Sequence, residues 1–210
     1  MSTVGIIGAG KVGTALGRLA QAAGWDVLFA DAADPLMQGM IVQTLVPGAA
    51  LVSVEELAAD SDLVIVAIPF GLSPALDWAP LSGKVVVDAM NHWYPVDGHL
   101  PWMDGVTGPT AEVTLARNPA MRVVRSLNHL GYHDMETDAR PVGDPARRAL
   151  AVASDDAEAR AYVARFVDAI GFDPVETGMA NSVLLEPEGT VFGVPMGAEE
   201  LEGALGAVEA

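Results

Sequence analysis

Thr3-Val4-Gly5-Ile6-Ile7-Gly8-Ala9-Gly10-Lys11-Val12-Gly13 is the stretch that decides the fold. Thr3 to Ile7 is a short apolar run ending in Gly8, and Lys11 to Ala23 carries Val12, Leu16, Leu19 and Ala20 at helical spacing until Gly24 stops it. The order is strand, glycine turn, helix. In that order Gly8 permits a tight turn, Gly10 lets a pyrophosphate approach the backbone, and Gly13 lets the helix pack on the strand, which is the dinucleotide-binding arrangement. Lys11 and Val12 stand at the helix start, where free amides and the positive end of the helix dipole favour phosphate. Gly5 to Lys11 also has the spacing of a triphosphate-binding loop. The next residue is Val12, however, which lacks the hydroxyl such a loop offers to magnesium, and Gly5 falls inside the strand.

A second run, Asp26 to Ala30, reads as a strand ending at Asp31, eighteen residues after Gly13. A carboxylate there accepts the ribose hydroxyls of NAD and repels the 2′-phosphate of NADP, and Ala30-Asp31-Ala32-Ala33 has no Arg, Ser or Thr to receive that phosphate. Asp31 alone therefore favours NAD; its other reading is a turn or helix-capping residue.

Further along, the pattern predicts a helix from Asp34 to about Gln43, a Pro47-Gly48 break, a weak strand over Ala50 to Val52 and a capping box at Ser53-Val54-Glu55-Glu56. Leu63 to Ile68, closed by Pro69, and Lys84 to Val87, ending near Asp88, are continuous aliphatic runs of the kind buried on both faces of a parallel sheet. Asn91 to Thr110 is rich in Pro, Gly and aromatics without a period, and a loop of that length inside a compact domain is usually functional. Ala111 to Arg117 reads as a helix, Arg122 to Leu127 as a strand, Asn128 to Pro145 as irregular and Ala149 to Ala153 as a strand. Ser154-Asp155-Asp156 then caps a helix to Ile170 that buries Ala161, Phe166, Ala169 and Ile170, and Phe172 to Glu176 closes the regular part. From Glu186 onward the sequence supports no assignment.

This alternation predicts an α/β chain with a Rossmann-type doubly wound, mostly parallel sheet and a small C-terminal α/β extension. Residues 1-120 form the dinucleotide-binding domain, and 121-210 a smaller part completing a second cofactor or substrate pocket.

Composition narrows the partners. The 210 residues include 11 Lys+Arg against 28 Asp+Glu, a formal net charge of -17, which excludes a generally basic nucleic-acid surface or attraction to anionic lipid. The absence of cysteine removes disulfides, thiolate nucleophiles and Cys-based metal sites. With no basic leader and no apolar run longer than Leu63 to Phe70, the expectation is a cytoplasmic protein binding small-molecule cofactors, with a homodimer left open.

Ligands of open α/β sheets bind outside the carboxyl ends of the strands. That rule selects Ile68-Pro69-Phe70-Gly71, Asn91-His92 and Ser126-Leu127-Asn128-His129 as the far side of the crevice. His129 and His133 have the spacing of a helical metal pair, but Gly131 lies between them and no helical pattern covers them, so no metal is expected. His92 and His99 lie in the aromatic loop, where Trp93, Tyr94 and Trp102 either cover a planar ligand or roof the core. Arg117, Arg122, Arg125, Arg140, Arg147 and Arg148 concentrate the positive charge; they form a local anion site or simply decorate surface helices.

Taken together, these segments resemble the coenzyme F420-dependent NADP oxidoreductase family. The residues that carry the resemblance are Gly8 to Gly13, Ala67-Ile68-Pro69-Phe70, Val86-Val87-Asp88-Ala89-Met90-Asn91, Val123 to His129 and Ala153-Ser154-Asp155-Asp156-Ala157. Gly171-Phe172-Asp173-Pro174-Val175, Gly178 to Ser182 and Leu184-Leu185-Glu186-Pro187 extend it. The resemblance implies hydride transfer between NADP and a deazaflavin, coenzyme F420, held face to face. Pro69, Phe70, Asn91, Asn128 and His129 would then line the junction, Asn128 and His129 as positioning residues. Such chemistry needs orientation more than an acid or base. Two positions depart from the family pattern: Asp31-Ala32-Ala33, where small polar residues and Arg are common, and Val183, where Arg often follows Asn-Ser. An NAD(P)-dependent dehydrogenase or imine reductase acting on a small metabolite, and a dinucleotide sensor without turnover, are the other readings.

Overall fold

The computed structural model describes residues 2–32 and 35–206, leaving aside the side chain of Pro35. In chain order the elements are β1 (Thr3–Ile7), α1 (Lys11–Ala22), β2 (Asp26–Ala30), α2 (Pro35–Leu45), β3 (Ala50–Leu51), α3 (Val54–Asp60), β4 (Leu63–Val66), β5 (Val85–Asp88) and α4 (Tyr94–Asp97). Next come α5 (Thr110–Arg117), β6 (Arg122–Arg125), α6 (Tyr132–Asp138), β7 (Ala149–Ala153), α7 (Ala157–Ala169), β8 (Asp173–Thr177) and α8 (Ala198–Gly206). Asp34, where the sequence starts the second helix, lies outside the described residues.

All eight strands join one sheet in the order β3-β2-β1-β4-β5-β6-β7-β8. The first six strands are mutually parallel, so their carboxyl ends share one edge; β7 runs antiparallel to β6, and β8 parallel to β7. The fold is thus the Rossmann-type, mostly parallel α/β sheet expected. The sheet is continuous through residue 120, and the chain beyond it supplies β6 to β8.

The aliphatic runs become central strands because both faces are covered. Leu63 and Ile65 face the helical layer of α1 and α7, while Val64 and Val66 face the opposite layer with Leu57 and Leu81, and none of the four strand residues is exposed. A third cluster, with Leu201 and Leu205 of α8, covers Ala149, Ala151 and Ala153 of β7.

Several elements differ from the sequence reading, each for a local reason. The strand expected to reach Leu127 stops at Arg125, and Leu127 adopts φ 64, which breaks extended structure. The buried face of α7 is Ala159, Val163, Ala164, Phe166 and Val167, while Ala169 is exposed and Ala161 half-buried. The irregular stretches hold the short helices α4 and α6, and the unassigned tail holds α8 after a 3-10 stretch over Met179–Leu185. None of the described helices is long and apolar enough to cross a membrane.

Candidate functional site

The glycine turn is built by close packing. A Cβ on Gly13 would lie 1.9 Å from the Gly8 carbonyl oxygen, and one on Gly8, whose φ is +111, would lie 2.6 Å from the Ala67 oxygen. Gly10 is different: nothing stands within 4 Å of its missing Cβ, so the middle glycine opens onto free space. No side chain caps α1 at Gly10, and its first turn contains no acid, so its leading amides are open to an anion. Lys11, exposed, donates from Nζ to the Tyr132 hydroxyl at 3.1 Å and lies over that ring; Val12 beside it packs half-buried on the core.

Asp31 closes the turn from the next strand. Its Oδ2 accepts the Ala9 amide at 2.7 Å, and the Gly8 amide donates to the Ala30 carbonyl at 2.8 Å. Gly8, Gly10, Asp31, Ile68 and Pro69 all line one cavity of about 450 Å³ that continues over Leu72 and Leu76. Open amides, a glycine with room before it and a carboxylate at the end of β2 fit the phosphates and ribose of a dinucleotide.

Phe70 is fully buried rather than on this cavity's wall; its ring lies 6.1 Å from that of His92 and 5.4 Å from that of Trp102. His92 also lines a larger cavity of about 710 Å³, together with Trp93, Tyr94, Met103, Thr110, Val183, Leu184, Glu186, Pro187 and Glu188. The aromatic loop is held in place by Asp97, whose two oxygens accept the amides of Gly71 and Trp93, both at 2.8 Å. His92 Nε2 donates to the Gly98 carbonyl at 3.1 Å.

A polar network joins half-buried Asn91 to buried Asn128. Asn91 and Asn128 exchange two bonds: Asn91 Nδ2 donates to the Asn128 carbonyl at 2.7 Å, and Asn128 Nδ2 donates to Asn91 Oδ1 at 3.0 Å. Asn128 Nδ2 also donates to the Leu185 carbonyl at 2.6 Å, anchoring the tail that walls the larger cavity. The turn at Leu127 is what aims Asn128 at both partners.

His129 is 1% exposed. Its Nε2 accepts the Ala151 amide at 3.1 Å, so the ring is the neutral tautomer with its proton on Nδ1. Burial, with Arg148 and Arg125 nearby, pushes it down to about 3. This histidine ties β7 to the turn after β6 and stays uncharged at neutral pH. His133 is exposed on α6, its ring 3.9 Å from that of Tyr132 at a tilt of 38°, so the two histidines sit in different environments.

The six arginines, read from the sequence either as a local anion site or as surface decoration, are engaged within the protein. Arg122 pairs with Asp156 and Glu158, Arg125 with Asp88, Arg147 with Asp168 and Asp173, and Arg148 with Asp138. Arg140 donates to the Thr137 and Ala139 carbonyls, and Arg117 lies over the Trp102 ring. None of the six lines either cavity.

The structure thus joins Gly8, Gly10, Asp31, Ile68 and Pro69 on one cavity, while Lys11, Val12, Gly13, Phe70, Asn91 and Asn128 are not among the residues lining either cavity and His129 lies in the core. Sequence reasoning named Val183 and Glu186 only through the family resemblance and did not assign Glu186 or the Val183–Glu188 segment to a cavity wall. The Leu-Glu-Pro motif was visible, but nothing local indicated that it returns from the far end of β8 to the crevice.

Residues 3–92 match the model of a family described as NADP oxidoreductase, coenzyme F420-dependent, which bears out the resemblance over that segment. Among solved structures, a hypothetical protein of Sinorhizobium meliloti is similar at 24% identity and TM-score 0.75, over 93% of this chain and 95% of that one. A candidate F420-dependent NADP reductase of Arthrobacter sp. FB24 is similar at 22% identity and TM-score 0.70, over 86% of each chain. An imine reductase variant of Myxococcus stipitatus in complex with NAD+ is similar at 18% identity and TM-score 0.60, over 100% of this chain and 61% of that one. None of the curated proteins matches the chain.

Proposed function

We propose that this chain is an NAD(P)-dependent oxidoreductase that passes a hydride between a nicotinamide dinucleotide in the Gly8–Gly13 crevice and an organic partner in the adjoining aromatic cavity. One observation carries the reading. The open N-terminus of α1, the free space before Gly10 and the Asp31 carboxylate meet on one cavity whose wall, Ile68-Pro69, leads to Phe70 and the second cavity. The bound nicotinamide would supply or accept the hydride. The chain's own part is to hold the phosphates on the α1 amides, to place the ribose against Asp31 and to keep water from the junction with Pro69 and the aromatic loop. Asp31 supports NAD, whereas the family match supports NADP.

The partner named by the family match is the deazaflavin coenzyme F420. A cavity of about 710 Å³ with Trp93 and Tyr94 on its wall has room for a planar ring system. A second reading, reduction of a small imine or carbonyl compound, is favoured by the wall itself, which carries Glu186 and Glu188 and no Lys or Arg. The test mixes the protein with reduced nicotinamide and oxidised deazaflavin and follows both absorbances. Coupled change supports the deazaflavin reading; nicotinamide binding without deazaflavin reduction moves the assignment to the second. Binding with no turnover on any acceptor would indicate a sensor.

A further inference from the structure

The charge of the larger cavity's wall, which favours the second reading above, comes with a geometry that narrows what the cavity can hold. Glu186 follows the tail segment pinned by Asn128 and lines the cavity. Its Oε1 accepts both the amide and the hydroxyl of Thr110, at 2.6 and 2.8 Å, where α5 begins. One oxygen is thereby fixed to a helix start, so the carboxylate cannot swing away, while Oε2 has no hydrogen-bond partner among the described residues. Glu188, exposed, adds a second negative charge to the same wall. The same cavity is lined by Trp93, 42% exposed and with one face stacked on Phe192 at 5.8 Å, and by Tyr94, 68% exposed. Val183, 43% exposed, contributes only apolar surface.

Aromatic faces with a fixed carboxylate are the elements that recognise organic cations, through the ring quadrupole and the opposite charge. The same wall repels an anion, and the chain's net charge of -17 adds to that repulsion. We propose that the cavity lined by Trp93, Tyr94 and Glu186 is a binding site for a compact organic cation, a protonated amine or iminium.

The inference rests on the oxidoreductase reading for its chemical use. An iminium arrives already protonated, so hydride addition at its carbon moves the C=N π pair onto nitrogen and yields a neutral amine without a proton from the protein. The two electrons come from the reduced nicotinamide, which is left oxidised. A carboxylate beside the nitrogen keeps the acceptor in its charged, electrophilic form.

The experiment titrates the full chain, with and without NAD+ or NADP+, against N-methylpiperidinium and against cyclohexanecarboxylate as an anion of similar size. Calorimetry and tryptophan fluorescence read binding. The expected result is that the cation binds and quenches fluorescence, the quenching being lost in Trp93→Phe, while the anion does not bind. Glu186→Gln keeps an oxygen for Thr110, so α5 stays capped, and it should weaken the cation roughly tenfold without altering nicotinamide affinity. Glu188→Gln should weaken it less. Equal or tighter binding of the anion, binding of neither probe, or cation affinity unchanged in the Glu186→Gln/Glu188→Gln double variant overturns the proposal. Failure of the oxidoreductase reading would show separately, as cation binding in a chain that binds no nicotinamide.

Discussion

Asp88 and Arg125 are register partners on β5 and β6, and their side chains meet at 2.8 Å with neither exposed. Asp88 also accepts the Thr114 hydroxyl at 2.7 Å and the Met90 amide at 3.0 Å, while Arg125 Nη2 donates to Asn91 Oδ1 at 3.2 Å. The pair therefore joins α5, the strand ends and the Asn91–Asn128 bridge into one polar unit.

Removing one partner strands a buried charge, at a cost of about 3–5 kcal/mol. Arg125→Met should lower unfolding free energy by that order in urea, and Asp88→Asn somewhat less because it keeps an acceptor for Thr114. The double variant should recover part of the loss, since no charge is then left unpaired; a strictly additive loss would mean that the two are not coupled.

Two glycines of the turn, Gly13 and Gly10, separate packing from binding. Gly13→Ala drives a methyl into the Gly8 carbonyl and should lower both stability and dinucleotide affinity. Gly10→Ala meets no protein atom, so its melting temperature should match the parent while nicotinamide dinucleotide binds more weakly, roughly tenfold or more, because a pyrophosphate needs that space. Calorimetric binding beside thermal unfolding reads both; undiminished affinity in Gly10→Ala would place the phosphates elsewhere.

Asp31→Asn preserves an oxygen for the Ala9 amide and removes the charge. NADPH should gain on NADH in relative affinity, as expected when a carboxylate that repels the 2′-phosphate is neutralised. An unmoved ratio would show that Asp31 does not face the ribose.

His129 gives acid sensitivity a definite sign. Its folded value of about 3 lies below the ordinary 6.5, so between those values the unfolded chain binds the extra proton. The stability it contributes is complete above about pH 6.5 and is lost as pH falls toward 3, amounting to about 2 kcal/mol by pH 5. Urea titrations at pH 7 and 5 should show this loss, and His129→Gln, which cannot titrate, should show less of it.

The first half of the chain was legible because its signals are local. Strand, glycine turn and helix appear in sequence within Thr3 to Ala22, and Ser53 accepts the Glu56 amide in the capping box that its spacing predicts. The candidate site was legible only where it lies on that half, at Gly8, Gly10, Asp31, Ile68 and Pro69. Asn128 and His129 were found in sequence as polar residues after a strand. Their contacts, Leu185 and Ala151, lie 57 and 22 residues away, and such pairings leave no periodicity.

By itself the sequence determined the layered α/β architecture, the position of the dinucleotide turn and the exclusion of cysteine chemistry, because hydrophobic period, glycine placement and composition act within a few residues. Only the tertiary structure decided that β7 reverses direction, that the six arginines are used in ion pairs, backbone bonds and ring contacts, and that Glu186 returns from the far end of the sheet to wall the second cavity. Those outcomes depend on which distant groups satisfy one another's charge and hydrogen bonds once the core has closed.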